Sequence, residues 1–201
     1  MKPNILIILT LLAGLVSSCV GKDKRCVFSE EQKKVIQYEK GKVISFIDET
    51  GLPVDAVVIK SEIFLSKERE GGFFGKNIIL NHKKATLTIE AFDLDIELGF
   101  NCNECPYSES YGCSLMISEQ KYRSWSFGFE LDAKGNFLIN NSTAFHNSLE
   151  INGKVYYDVV EGNRLLQTLD KPDINWQLFY NKEYGILQIK IDGKDYLTIK
   201  N

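Results

Sequence analysis

The sequence has little of several features that mark common activities. Its 201 residues include only two histidines, and 24 Lys and Arg stand against 27 Asp and Glu, for a formal net charge of −3. A net charge this small and negative argues against nucleic-acid binding, because a basic patch supplies most of the affinity in that class of protein. A phosphate-binding glycine loop and an HExxH zinc motif are both missing. These absences exclude the best-known nucleotide-binding and metalloprotease signatures.

The N-terminus predicts a signal peptide over residues 1–18. Lys2 is followed by an almost unbroken apolar run from Ile5 to Val16, and small residues come next. A helix over that run reaches about 18 Å, which is well short of the ~30 Å hydrocarbon core of a bilayer. The run is therefore too short for an ordinary transmembrane span.

The residues Val16-Ser17-Ser18-Cys19 resemble the lipobox of bacterial lipoproteins. The resemblance implies that the Cys19 thiol receives a diacylglyceryl group and that cleavage makes Cys19 the first mature residue. Membrane anchoring through this lipid follows as an expectation. By the same resemblance, Val20 in place of Asp implies the outer membrane. The mainly basic segment Gly21–Arg25 differs from acidic surface-export signals, so the periplasmic face is preferred.

The remaining chain is long enough for one domain with a real core. Residues 19–28 are interpreted as a lipidated tether and residues 29–201 as a single β-rich domain. Hydrophobic residues make up 44% of the chain, which excludes wholesale disorder, and aromatic residues make up 11%, which suits strands. Ser29-Glu30-Glu31-Gln32 is a possible capping box, so a short helix is predicted near 30–36.

From Lys42 onward the patterns predict about ten strands joined by short local turns. Asn152-Gly153 and Asp192-Gly193 are strong two-residue hairpin signals, and Asp132 to Asn136 is a further turn. The clearest strand segments are Val43–Ile47, Val54 to about Leu65, Thr86–Phe100, Trp125–Leu131, 174–180, 185–191 and 195–200. Residues 67–76 are predicted to form a loop with Phe73 and Phe74 at its tip, and residues 162–169 a helical turn.

The segment Thr86–Phe100 changes phase in its middle. Leu87, Ile89 and Ala91 alternate in one phase, whereas the apolar residues from Phe92 onward alternate in the other. A period-two pattern that slips by one residue predicts a bulge or bend near Ala91-Phe92.

Local turns between many strands favour antiparallel neighbours. Such a sheet must close on itself or fold into two layers, since open edges invite aggregation. The predicted fold is all-β: a single antiparallel, strongly curved sheet or barrel of about ten strands. A two-sheet sandwich is the alternative.

Four cysteines remain when Cys19 is assigned to lipidation: Cys26, Cys102, Cys105 and Cys113. An even number in an oxidising compartment predicts two disulfides. One is expected to be local, from Cys113 to Cys102 or Cys105, and the other to join Cys26 to the remaining partner. A zinc site with Cys26 or His82 as fourth ligand and a redox CxxC are alternatives, both disfavoured by the oxidising location and the lack of a helix.

Other candidate chemistry is weak. Asp93, Asp95 and Glu97 share one strand face, but same-face neighbours stand about 6.8 Å apart, too far to share a calcium ion without loop donors. His82 and His146 fall in no triad motif. No catalytic residue, metal or cofactor is predicted.

Three segments resemble uncharacterised Bacteroidota lipoproteins. They are the spaced pattern from Tyr38 to Gly51, the hairpin Ile151–Val159 and the turn Tyr180–Ile186. The resemblance implies a secreted β-rich lipoprotein and carries no chemistry. The leading hypothesis is a non-catalytic binding module of the cell envelope, with a protein or small-molecule ligand. Alternatives are a carrier of an apolar ligand inside a barrel and, third, a thiol-redox or hydrolytic enzyme.

Overall fold

The structure is a computed structural model that describes residues 24–25, 28, 30–70, 76–102, 113–120, 125–132, 135–139, 143–168 and 171–201. Within these ranges the chain is almost entirely β, as predicted. The helical elements described are a single turn of α-helix, α1 (Glu30–Lys33), and a 3₁₀ turn at Glu90–Phe92. The predicted helix near 30–36 therefore exists but ends at Lys33.

The described residues form twelve strands, numbered here in chain order. They are β1 (Lys24–Arg25), β2 (Val43–Asp48), β3 (Pro53–Glu70), β4 (Lys76–Ile89), β5 (Leu94–Cys102), β6 (Cys113–Glu119), β7 (Ser126–Leu131), β8 (Thr143–Ile151), β9 (Lys154–Thr168), β10 (Lys171–Asn181), β11 (Gly185–Ile191) and β12 (Lys194–Ile199). The predicted strands at Val43–Ile47 and Trp125–Leu131 match β2 and β7 closely.

Strands β2 to β12 form one antiparallel sheet that is nearly closed into a barrel. Its order is β7-β6-β5-β4-β3-β2-β12-β11-β10-β9-β8, so all neighbours are consecutive in the chain except β2 and β12. Leu197 pairs with Asp48 and Ile199 with Phe46 at that junction. The end strands β7 and β8 are not paired, but β7 contacts β9 across the gap. The barrel prediction is confirmed in preference to the sandwich.

The two-residue turns are the best-predicted local features. Asn152-Gly153 joins β8 to β9 and Asp192-Gly193 joins β11 to β12. Both residues of each turn have positive φ, between 50° and 78°. This is the conformation of a type I′ turn, which matches the twist of the flanking strands.

The prediction of one bent strand over Thr86–Phe100 is wrong. The chain reverses at the 3₁₀ turn, and β4 and β5 then pair with each other, with Ile89 opposite Leu94. Asp93 takes a left-handed conformation, with φ of 52°, to complete the turn. The change of phase in the apolar pattern therefore marks a hairpin rather than a bulge.

Two further predictions need correction. Residues 162–169 form no helical turn, because β9 continues as strand to Thr168. The predicted loop at 67–76 is shorter, since β3 runs to Glu70 and β4 starts at Lys76. Phe73 and Phe74 lie outside the described residues.

The described side chains inside the barrel pack into one core. Trp125, Phe127 and Trp176 are buried and in ring contact, with centroid separations of 5.5–5.6 Å. They belong to one continuous apolar cluster with inward-facing residues of all strands from β2 to β12. Dense packing of this kind stabilises the curved sheet from inside.

The segment before β2, residues 30–42, packs against the barrel core and is called the plug here. Val35 and Ile36 are completely buried, and the Tyr38 hydroxyl accepts a hydrogen bond of 2.7 Å from the Ile186 backbone N–H. The Tyr180 hydroxyl donates to the Val35 carbonyl. Lys83 donates from its ammonium group to the carbonyl of Lys33 at 2.7 Å. The plug is thus tied to the barrel by polar contacts as well as by burial.

Candidate functional site

The most distinctive region is the seam, defined here as the gap between the end strands β7 and β8. Strand β8 pairs only with β9, so its other edge carries no strand partner in the described part of the chain. Strand β7 pairs with β6 and otherwise makes a single bridge, from Leu131 to Phe137. Unpaired edges expose backbone donors and acceptors, which are a ready template for another strand.

Side-chain packing holds the seam together. Phe127 and Phe129 of β7 press on Gly162 of β9, where an added Cβ would lie 2.7 Å from the Phe127 ring and 3.0 Å from the Phe129 ring. The φ of Gly162 is not positive, so the backbone conformation alone does not call for glycine. Glycine is required because a larger residue would meet the two rings. The contact lets β7 cross close over β9 without any backbone hydrogen bond between them.

A cleft of about 350 Å³ opens beside the seam. It is lined by Asn136, Phe137, Ile139, Phe145, Asp158 and Lys182. Its volume lies at the lower end of the range for ligand sites, roughly 300–1,000 Å³. The cleft combines two aromatic walls with one acidic and one basic side chain.

The elements around the cleft fix its shape. The turn after β7 is held by Asp132, whose Oδ1 accepts a hydrogen bond of 2.8 Å from the Asn136 N–H. Phe137 packs edge-on against Tyr180 of the core, at 6.1 Å. Lys182 donates to the Gly135 carbonyl at 3.0 Å and so ties this turn to the end of β10. Phe137 is thus held by its contact with the core and by the hydrogen bonds of the turn that precedes it.

Exposed apolar residues continue from the cleft. Leu138 is 43% exposed and Ile139 is 70% exposed, although both lie next to the buried wall. They precede β8 and its open edge in the chain. An apolar cleft, exposed aliphatic side chains and a free strand edge therefore occur in one place.

His82 lies in a polar chain on the outer face of β3, β4 and β5. One ring nitrogen is 2.5 Å from Ser66 Oγ, and the other is 2.5 Å from Asn101 Oδ1. This order, hydroxyl, imidazole, amide, is that of a nucleophile, a base and its orienting group. However, an oxyanion site also needs free donors, and the surrounding strand backbones are paired in the sheet. The geometry therefore fits a cross-strand clamp better than an active site.

Both ring nitrogens of His82 have partners, so the structure leaves it no free nitrogen for the zinc site considered above. His146 lies in a different polar network on β8, β9 and β10. Its Nε2 is 2.8 Å from Glu161 Oε2, and the other Glu161 oxygen accepts hydrogen bonds from Asn163 and Gln177. Within the described ranges, no group of three or more His, Cys, Asp or Glu could hold a metal ion.

The carboxylates predicted on one strand face are separated by the turn. Asp93 is part of the reversal, whereas Asp95 accepts a hydrogen bond of 2.6 Å from Thr88 and Glu97 forms an ion pair with Lys84. Each of the two β5 carboxylates thus has its own partner on β4.

The structure describes only some of the residues on which the cysteine and lipid predictions depend. Cys113 starts β6 and lies opposite Cys102 in the register of β5 and β6. The Gln32 amide lies 3.2 Å from Cys113 Sγ. Cys19, Cys26 and Cys105 lie outside the described residues. Of the described helices, none is long and apolar enough to cross a bilayer.

Sequence reasoning missed the cleft. Its lining residues come from β8, β9 and two connections that are far apart in the chain, and none of them belongs to a motif. Comparison with known proteins gave no match: no family model, curated protein or solved structure is significantly similar to this chain. The resemblance to Bacteroidota lipoproteins therefore stays a prediction.

Proposed function

We propose that this chain is a non-catalytic binding module of the bacterial cell envelope, held at the outer membrane by lipid on Cys19. Its ligand is an extended polypeptide segment that binds at the seam. The observation that carries the proposal is the cleft between Phe137 and Phe145 beside the free edge of β8. A strand added to that edge gains main-chain hydrogen bonds, while its side chains enter the adjacent pocket.

The packed core supports a ligand on the surface over a ligand inside the barrel. An apolar carrier would need a cavity inside the barrel, but the described interior is occupied by Trp125, Phe127, Trp176 and their neighbours. A polypeptide also makes better use of the surface than a small molecule. The cleft continues into Leu138, Ile139 and an unpaired strand, so the apolar surface extends beyond the pocket.

The anchor is tested by metabolic labelling with a palmitate analogue, followed by membrane fractionation. Wild type is expected to carry the label and to fractionate with the outer membrane, whereas Cys19→Ala loses the label. Cys26→Ala is the matched control and should keep it. Val20→Asp should keep the label but move to the inner membrane. Label retained by Cys19→Ala would rule out the anchor, and protease treatment of whole cells reports which face is occupied.

The binding site is tested by placing a photo-crosslinking residue at Ile139 in intact cells. A discrete polypeptide adduct is expected there. Leu52 is the control, because it is 62% exposed, lies in the turn between β2 and β3 and does not line the cleft. Equal adducts at both positions, or none at Ile139, would contradict a polypeptide site at the seam.

The proposal includes two disulfides, Cys102 to Cys113 and Cys26 to Cys105. The register supports the first, because directly opposed residues in an antiparallel pair have Cβ atoms about 4.5–5.5 Å apart, close to the 3.5–4.5 Å of a disulfide. Peptide mapping without reduction should recover the two linked pairs. Four free thiols in the exported protein would contradict this part and reopen the redox alternative.

The hydrolytic alternative has one specific observation in its favour, the Ser66–His82–Asn101 chain. An active serine would be labelled by a fluorophosphonate probe, and Ser66→Ala would abolish that labelling. We expect wild type to remain unlabelled, because the site lies on a sheet face whose backbone groups are already paired.

A further inference from the structure

The β3–β4 hairpin extends well beyond its neighbours. Strand β2 accompanies β3 only to Val57, and β5 accompanies β4 only to His82. We define the arm as Ile63–Glu70 with Lys76–Lys83, which lies beyond β2; its six outer register pairs, from Leu65–Asn81 to Glu70–Lys76, also lie beyond β5. It contains eight register pairs, which correspond to about 25 Å of two-stranded ribbon.

The arm carries an unusual apolar surface. Ile63, Phe64 and Leu65 are consecutive and are 54%, 43% and 57% exposed, respectively. Because side chains alternate along a strand, the three residues expose apolar groups on both faces of the ribbon. In the described chain, no other three consecutive large apolar residues are all exposed. Single exposed apolar residues are ordinary, but a consecutive exposed run calls for a functional explanation.

Strand β1 places the start of the mature chain on this arm. Lys24 and Arg25 pair with Ile78 and Ile79 of β4, and the pairing is parallel. Strand β4 runs from the arm toward the barrel, so β1 runs the same way. The N-terminal end of β1 therefore faces the distal end of the arm, away from the barrel.

The chain length limits how far the lipid can lie from the arm. Lys24 follows Cys19 by five residue steps, and each step spans at most about 3.6 Å, so the reach is at most about 18 Å. This distance is shorter than the arm itself. A diacylglyceryl group on Cys19 must therefore hold the arm close to the bilayer surface.

We infer that the arm is a second, non-covalent membrane contact that lies in the lipid interface beside the anchor. This inference rests on the lipid anchor of the proposed function. The apolar residues Ile63 to Leu65 enter the interface, and the exposed Lys60 and Lys67 flank them. Apolar side chains bordered by lysines suit this depth, because the long stems lie along apolar groups while the ammonium groups stay with the headgroups.

The test uses the full chain, lipidated in cells, purified and reconstituted into vesicles of phosphatidylethanolamine and phosphatidylglycerol with brominated phosphatidylcholine. Phe64→Trp and Leu65→Trp report on the two faces of the ribbon. Tyr157→Trp on β9 is the matched control, at 67% exposure. The two native tryptophans are buried and contribute the same background to each variant.

Bromine quenching with a shift to shorter wavelength is expected for at least one arm variant and not for Tyr157→Trp. Absence of quenching at both arm positions would overturn the inference. A wavelength shift that follows protein density rather than bromine content would also overturn it, since it would identify a second copy as the partner. Palmitate labelling of the same samples reports the anchor separately, so labelled protein without quenching rejects the arm contact and leaves the anchor intact.

Discussion

Two contacts complete the barrel, the β12–β2 junction and the seam between β7 and β8. Different interactions hold the strands together at each of them. At the β12–β2 junction, backbone pairing joins the strands, and the Lys200 N–H extends it with a hydrogen bond of 2.9 Å to the Ser45 carbonyl. At the seam, β7 and β8 stay unpaired, and phenyl rings over Gly162 make the contact. One closure satisfies backbone groups, whereas the other leaves the outer edge of β8 without a strand partner among the described residues; on β7, the Glu130 carbonyl accepts a hydrogen bond from the Leu138 N–H.

The difference separates backbone pairing from side-chain packing as ways of closing the sheet. The plug contacts both sides, since the buried Tyr38 hydroxyl bonds to β11 and a Cβ added at Gly135, in the turn after β7, would lie 3.6 Å from Glu31. The seam side combines exposed apolar residues with a cleft. A fold that fully paired its seam would gain hydrogen bonds but lose the edge on which the proposed partner depends.

The largest effect is expected on the closed side, from Gly185→Ala. Gly185 has φ of 83°, and an added Cβ would lie 2.0 Å from the Tyr38 hydroxyl oxygen. The plug would have to move, so we expect a loss of about 3 kcal/mol or more in the free energy of unfolding, measured by urea denaturation.

Gly153→Ala is the matched control, because its φ is 76° and no heavy atom lies within 4 Å of the added Cβ. It should cost only about 1 kcal/mol, the usual penalty of a left-handed conformation. Equal losses in both variants would show that conformation, and not the plug contact, makes Gly185 necessary.

Alkaline pH should weaken the same plug. Burial raises the pKa of Tyr180 and of Tyr38 well above the usual value. Above about pH 10 the unfolded chain loses these protons while the folded chain keeps them, so stability is full below pH 10 and falls above it. The loss can reach about 1.4 kcal/mol per pH unit for each tyrosine.

Urea midpoints between pH 8 and pH 11 would measure this slope. Tyr180→Phe should make it shallower. Tyr157→Phe should leave it unchanged, because Tyr157 is 67% exposed. A slope that is the same in all three proteins would rule out Tyr180 as its source.

At the seam, Gly162→Ala should cost about 2 kcal/mol, because the added methyl group meets the Phe127 and Phe129 rings. The rings can shift toward the open edge, so we expect a smaller loss than for Gly185→Ala. Gly99→Ala is the control, since its added Cβ meets nothing within 4 Å. Hydrogen exchange should show faster exchange in β7, whereas an unchanged β7 would mean that the rings do not hold the seam.

The smallest effect is expected at the outer face of β8. His146→Ala removes the contact with Glu161, and both side chains are partly exposed, at 31% and 14%. Partly solvated pairs contribute little, so we expect a loss below about 1 kcal/mol by urea denaturation. A loss as large as that of Gly162→Ala would show that β8 is held as firmly as the closed side.

The sequence predicted what depends on neighbouring residues. Asn152-Gly153 and Asp192-Gly193 identified their hairpins because only certain residues adopt positive φ at low cost. The reversal at Glu90–Phe92 was misread because it contains no glycine or proline, and Asp93 takes the left-handed position instead. A change of apolar phase fits a bulge and a tight turn equally well.

The seam and its cleft could not be predicted in this way. Gly162 looks like any glycine in a strand, and the rings that require it lie more than thirty residues earlier in the chain. Phe137, Phe145, Asp158 and Lys182 meet only after the meander has curved. Residues from distant segments carry no local pattern, so their proximity appears only with the whole fold.

The β12–β2 pairing has a consequence for biogenesis. The neighbouring strands from β2 to β7 and from β8 to β12 can pair as soon as both have emerged, because their contacts are local. The junction is different, since β2 must wait for β12, roughly 150 residues later. During synthesis, the edge of β2 therefore stays open until the last strand has emerged, and this interval is when a chaperone would matter most.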